Sequence, residues 1–222
     1  MDWEAFQLSL KLAACTVAIL LPIGIIIGRF LAWTPFRGRV LLEAVLALPL
    51  VLPPTVFGYY LLVSLGGNSR IGHWYESLSG HSLVFTFQGL LVASVLFNIP
   101  FAIQPIQRAF QAVPSDVRHA AACCGLSRWR TLWRIELPLA WTGLLSSLVM
   151  TFAHTLGEFG VVLMVGGSIP GETKTIAISI YDRVQGFDTA SAGLMSAVLL
   201  ALSLIAIGVT YLTAPRVDRR HA

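Results

Sequence analysis

The sequence predicts an all-α transmembrane protein of about five membrane-spanning helices. Three observations predict it. Hydrophobic residues make up 56% of the 222 and charged residues only 12%, against roughly a quarter in ordinary soluble domains. Too few charges are present to coat a soluble core of this size. The charges also leave five stretches apolar enough to cross a bilayer, which takes about 20 residues each. The Lys and Arg between those stretches alternate in density from loop to loop, the pattern of a chain threaded through a membrane.

The start, Met1-Asp2-Trp3-Glu4, is acidic and lacks the basic opening of a cleavable signal. The first apolar run, Leu8 to Trp33, is too long for a signal core and is expected to remain as an anchor. The second runs from Val40 to Leu65. Its segment Leu48-Pro-Leu-Val-Leu-Pro-Pro54 should bend or break the helix, because each proline removes a ladder hydrogen bond. Membranes tolerate such breaks where neighbours or a wet cavity satisfy the backbone. The third, Leu83 to Phe110, carries Pro100, Pro105 and the polar Asn98, Gln104 and Gln107. The fourth runs from Leu137 to about Gly157, and its apolar character continues to Val165. His154 and Glu158, four apart, share a helix face near the outer end of that span. Between Phe159 and Val184 there is room for a short re-entrant or interfacial helix. The fifth span is Ala190 to Tyr211.

Loop charges orient the chain. With the N-terminus outside and the C-terminus inside, nine basic residues fall inside: Arg37, Arg39, Arg118, Arg128, Arg130, Arg134, Arg216, Arg219 and Arg220. Three fall outside, namely Arg70, Lys174 and Arg183. Topology and charge rule agree. The net charge of +4 is therefore a matter of membrane orientation, and no nucleic-acid partner is expected. Cys15, Cys123 and Cys124 read as small apolar residues, with no metal-ligand spacing, and no cofactor is called for. The lysines are Lys11 and Lys174, neither preceded by glycine, so the chain holds no phosphate-binding loop and is not an ATPase.

The loop 111–138 is the informative one. Pro114 ends the preceding helix, and Ser115 or Asp116 can cap a new one. Val117 to Cys124 then gives a short helix of mostly small residues, closed by Gly125 in the left-handed conformation. Ser127 can cap a second helix, on which Trp129, Leu132 and Trp133 share a face. Such a hairpin can lie in a groove of a partner protein, or it can lie on lipid headgroups with its arginines on phosphates.

The spacing in this loop resembles the cytoplasmic signature of importer permeases of the ATP-binding-cassette class. That signature reads Glu-Ala-Ala, three residues, Gly, nine residues, then Ile, any residue, Leu, Pro. Here it reads His119-Ala120-Ala121, Gly125, Ile135, Leu137 and Pro138, with His119 in place of the glutamate. Further stretches, Gly58-Tyr59, Leu156-Gly-Glu-Phe-Gly160 and Ile169-Pro-Gly-Glu-Thr173, resemble the molybdate, sulfate and tungstate permeases, molybdate most of all. The resemblance covers essentially the whole chain. It implies a single permease domain, 1–222, in a bacterial inner membrane, acting as a homodimer by alternating access. It also implies cassette ATPase subunits docked on loop 111–138 and an extracytoplasmic molybdate-binding protein.

Candidate path residues are Pro53, Pro54, Asn98, Gln104, Gly157 and Glu158. Asn98 and Gln104 can line a wet path or bond between helices. His154 with Glu158 can relay protons or simply finish a helix, and no nucleophile accompanies them. No Lys or Arg sits in mid-span, so an anion would be held weakly there and selected elsewhere.

Overall fold

The structure is a computed structural model and describes residues 1–213. The tail arginines Arg216, Arg219 and Arg220 lie outside the described residues. Twelve α-helices are described, joined by loops and one π-helical turn. Helix α1 spans Trp3–Trp33, capped by Asp2, whose carboxylate accepts from the Ala5 N–H at 3.1 Å. Helices α2 (Arg39–Val51) and α3 (Pro54–Leu65) follow, then α4 (Arg70–Ser79) and α5 (Phe87–Gln111). The loop 111–138 folds as α6 (Ser115–Cys123), α7 (Arg128–Thr131), a π turn (Leu132–Glu136) and α8 (Leu137–Leu139). Then come α9 (Trp141–Gly157), α10 (Gly160–Gly166), α11 (Ile176–Gln185) and α12 (Thr189–Thr213).

Three of these helices, α1, α5 and α12, are each long and apolar enough to cross a membrane, and there are up to five crossings if each bent pair counts as one. The five expected spans map onto these three and the two bent pairs. The second is broken where its prolines cluster: α2 and α3 meet at 110°. The fourth ends at Gly157 as expected, and the apolar run that continues to Val165 is a separate helix, α10, which starts at Gly160. The short helix expected within 159–184 is α11. Its Ile176 N–H donates to Ser9 Oγ at 2.8 Å, and Ser179 Oγ donates to Asp2 at 2.7 Å, which pins it to the start of α1.

The core is the packing of α1 and α9 on α5. Gly24 and Gly28, one turn apart, let α1 approach α5 closely. A Cβ at Gly24 would lie 2.9 Å from Ile106 Cδ1, and one at Gly28 would lie 3.0 Å from Ile106 Cγ2 and 3.1 Å from the Gln107 nitrogen. Helices in lipid gain no hydrophobic drive toward one another, so close approach through small residues is what holds them. On the other side of α5, Gly143 of α9 sits where a Cβ would collide with Ala109 and the Pro105 carbonyl. Ser147 adds a hydrogen bond to the Ala102 carbonyl at 2.8 Å. The α12 surface is largely exposed, with Leu200, Leu204 and Ile205 outward.

Gly28→Leu should wedge α1 from α5 and cost about 1–3 kcal/mol, the usual penalty of overpacking. Gly193→Leu, on α12 where a Cβ meets open space, should be neutral. Thermal unfolding of the detergent-purified variants checks both.

Candidate coupling hairpin and membrane path

The hairpin compares with the sequence expectation at three points. First, neither Ser115 nor Asp116 caps α6. Pro114 takes the cap position in an extended conformation, so Ser115 is already the first helical residue and no side chain caps it. Second, Gly125 adopts φ +73° as expected. The Gly125 N–H donates to the Ala122 carbonyl at 3.0 Å and the Leu126 N–H to the Ala121 carbonyl at 3.1 Å, a paired closure that needs a left-handed residue. Ser127 caps the next helix by accepting from the Arg130 N–H at 3.4 Å. Third, that helix is not a continuous amphipathic one. After one turn it widens, and the Leu137 N–H reaches the Leu132 carbonyl five residues back. Pro138 offers no N–H to continue the ladder. Widening splits the expected apolar face: Leu132 is buried beside Ile106 and Phe110, while Trp129 and Trp133 stay 70% and 65% exposed.

The signature residues divide between two roles. His119 and Ala120 are exposed on α6, with Cys123 beside them, whereas Ala121 is buried against the body. Ile135 and Leu137 are half-buried and Pro138 is exposed at the start of α8. The hairpin thus offers an outward surface of small side chains.

What fixes the hairpin to the membrane body is Glu136, which sequence reading passed over as the unspecified residue of the signature. It is 1% exposed. Arg29, in the last turns of α1, donates to it from Nε at 2.7 Å and from Nη2 at 3.2 Å. Arg118 of α6 approaches it at 3.7 Å. Both guanidiniums lie over the Trp33 ring, at 5.2 and 3.6 Å. Burial pushes the Arg118 guanidinium below its usual value, and Glu136 pulls it back. A signal existed in the sequence: one arginine near the end of an apolar span and one glutamate within an otherwise apolar Ile-x-Leu-Pro run.

The candidate path residues fall into two groups. Asn98 lies half-way along α5, fully buried. Its Nδ2 donates to the Ser94 carbonyl at 2.9 Å, and its Oδ1 meets His154 Nδ1 at 2.9 Å. Ser94 Oγ donates to Glu158 at 2.5 Å, and His154 stacks on Phe101 with centroids 4.0 Å apart. Glu158 is therefore not near the outer surface, where the sequence suggested, but level with the middle of α5. It ends α9 at mid-depth. Pro54, Gly157, Glu158 and His154 line one cavity of about 580 Å³. The two helix breaks meet here: a Cβ on Gly160 would lie 3.0 Å from Pro54 Cβ. Pro53 caps α3 at the same break. Ser94 was missed by sequence reading because a serine is unremarkable in an apolar span.

Gln104 does not join this cluster. Six residues on, about 9 Å further along α5 at 1.5 Å per residue, it lines a cavity of about 400 Å³ with Arg39, Glu43 and Arg108. Gln107 donates to Glu43 at 2.8 Å there, and Arg39 bonds the same carboxylate at 3.0 Å. So the structure brings together Pro53, Pro54, Asn98, Gly157 and Glu158, and leaves Gln104 toward the inner end.

A family model of the inner membrane component of binding-protein-dependent transport systems matches residues 21–219. The chain belongs to this family. It is a membrane-embedded transport component, not an enzyme, of importers that work with a binding protein and an ATPase. The molybdenum transport system permease protein ModB of Azotobacter vinelandii is 41% identical over 95% of this chain and 93% of its own length. The protein of the same name from Escherichia coli K12 is 36% identical over 100% and 96%. The sulfate transport system permease protein CysW of Synechocystis is 29% identical over 98% and 80%. Among solved structures, a bacterial ABC transporter that imports the acidic polysaccharide alginate shares the fold of this permease. Its TM-score is 0.73 at 16% identity, over 95% of this chain and 79% of the other.

Glu136→Ala should strand Arg29 and Arg118 without a carboxylate. Breaking a fully buried pair costs about 3–5 kcal/mol. Both arginines are about one-third exposed, so the loss should be nearer 1–3 kcal/mol. It should fall on the hairpin. The expected result is normal membrane insertion with weakened ATPase co-purification.

Proposed function

We propose that this chain is the permease of an ATP-driven molybdate importer, acting as a homodimer with its N-terminus outside and C-terminus inside. The observation that carries the importer reading is the hairpin, a small-residue helix exposed for docking yet anchored to α1 by a buried ion pair. Kinship with the molybdenum permeases over essentially the full chain supports the substrate. In this reading loop 111–138 is the coupling loop of one membrane domain. Its α6 seats His119, Ala120 and Gly125 in a cleft of the cassette ATPase. Ile135, Leu137 and Pro138 set the junction with α9.

Closure of the two ATPases draws the hairpins together. The Glu136–Arg29 pair and α8 pass that movement to α1 and α9. The far end of α9 is the break at Gly157 and Glu158, which lies against the Pro53–Pro54 break in the middle of the membrane. A movement begun in the cytoplasm thereby reaches the cavity lined by Pro54, His154 and Glu158, to which Asn98 is hydrogen-bonded through His154, and the path opens outward to receive the anion from an extracytoplasmic binding protein. Gln104 lines the inner portion of the same route. At the helix breaks the anion meets amides, hydroxyls and helix ends rather than Lys or Arg. These pass an oxyanion without gripping it, so selection falls to the binding protein.

Two measurements test the proposal. Cells lacking their own molybdate permease, supplied with this chain, its ATPase and its binding protein, should accumulate molybdate. Accumulation of sulfate with none of molybdate would instead place the chain with the sulfate permeases. In a background freed of native cysteines, an impermeant thiol reagent should label a cysteine at position 68 in intact cells and spare one at 128. The reverse pattern would overturn the orientation.

A further inference from the structure

A groove of about 690 Å³ lies between the inner end of α1 and α7. One wall is apolar and faces outward from the bundle: Ile26 is 66% and Phe30 46% exposed. The mouth carries two indoles, Trp33 and Trp129. The cytoplasmic end carries three guanidiniums, Arg29, Arg118 and Arg128. Arg29 and Arg118 share the single carboxylate of Glu136, and Arg118 is too far from it, at 3.7 Å, for a close hydrogen bond. Among the described residues Arg128 makes no ion pair. The groove therefore has an excess of about two positive charges above an apolar slot, with indoles at the level where membrane proteins place them.

We propose that this groove binds an anionic phospholipid of the cytoplasmic leaflet. The phosphate sits among Arg29, Arg118 and Arg128, and an acyl chain runs along Ile26 and Phe30. Charge complementarity selects the headgroup. The apolar wall selects a lipid over a free oxyanion, which would leave that wall uncovered. Because Arg29 and Arg118 also hold Glu136, the bound phosphate completes the charge balance of the hairpin anchor. The lipid then bears on coupling as well as on adhesion. The inference rests on the orientation proposed above for its leaflet, but its test does not.

The complete permease–ATPase complex is reconstituted in nanodiscs of equal phosphatidylglycerol and phosphatidylcholine, and the lipids retained on release are counted by native mass spectrometry. Phosphatidylglycerol should be enriched. Arg128→Gln should lower that enrichment about fivefold, the usual effect of one basic residue at an anionic surface. Trp129→Ala should lower it further. Both side chains are exposed, so neither change threatens the fold. Equal retention of the two lipids, or undiminished enrichment in Arg128→Gln, would refute the site. Full displacement of the lipid by millimolar inorganic phosphate would refute the lipid assignment in favour of a free-anion site. Enrichment seen only in permease stripped of its ATPase would refute it too, since the groove would then belong to the ATPase contact.

Discussion

A carboxylate buried to 1% exposure in the loop 111–138 is the constraint on which the placement of that whole loop hangs. Glu136 cannot stay there without its cations, since an isolated buried charge is far costlier than a buried pair. Arg29 must therefore project from α1 at that depth, and Arg118 must turn inward from α6. Trp33 provides the ring over which both guanidiniums lie, where the ring face adds its own attraction. Once these four side chains are in place, α6 has one position relative to the membrane, and its small outer face points one way.

A second polar knot sits in the middle of the membrane, and it solves a different problem. Two of the spans are interrupted, which leaves helix ends in a region where unsatisfied backbone groups are costly. The structure lets the interruptions share a location. The α2–α3 and α9–α10 breaks meet beside Asn98, Ser94, His154 and Glu158, whose side chains hydrogen-bond one another, while one Glu158 oxygen is left without a partner among the described residues. Gly58 of α3 packs on Val161 and Met164 of α10 with no room for a side chain, so the two half-helices travel together. The cavity of about 580 Å³ opens beside this junction.

Much of this could be read from the sequence, and for a consistent reason. Apolar length and the placement of Arg and Lys dictate the spans directly, because lipid offers so few alternatives. The closure at Gly125 followed from spacing, since only a left-handed residue ends that helix and turns the chain. Pairings between distant residues were harder to see. Nothing in the local pattern tells Glu136 that Arg29, more than a hundred positions earlier, will meet it. Nor does it place Glu158 level with the middle of α5: the expected end of the fourth span at about Gly157 put it near the outer surface, and its hydrogen bond to Ser94 shows otherwise. Gln104 was grouped with Asn98 by residue type, yet six residues on a helix separate them by most of two turns.

The π turn at Leu132–Glu136 has a consequence for the spacing that marks this loop. A ring closed five residues back holds one more residue than a helical turn would, and each residue of a helix is about 100° of rotation. The count between Gly125 and Ile135 is therefore an angular setting. It decides which side of the chain faces α1 when the hairpin leaves the bilayer, and so whether Glu136 points at Arg29 or into water. One residue more or fewer would keep every side chain and swing the small-residue outer face of α6 round by more than a quarter turn. The interval works as a gear tooth does, by number rather than by chemistry.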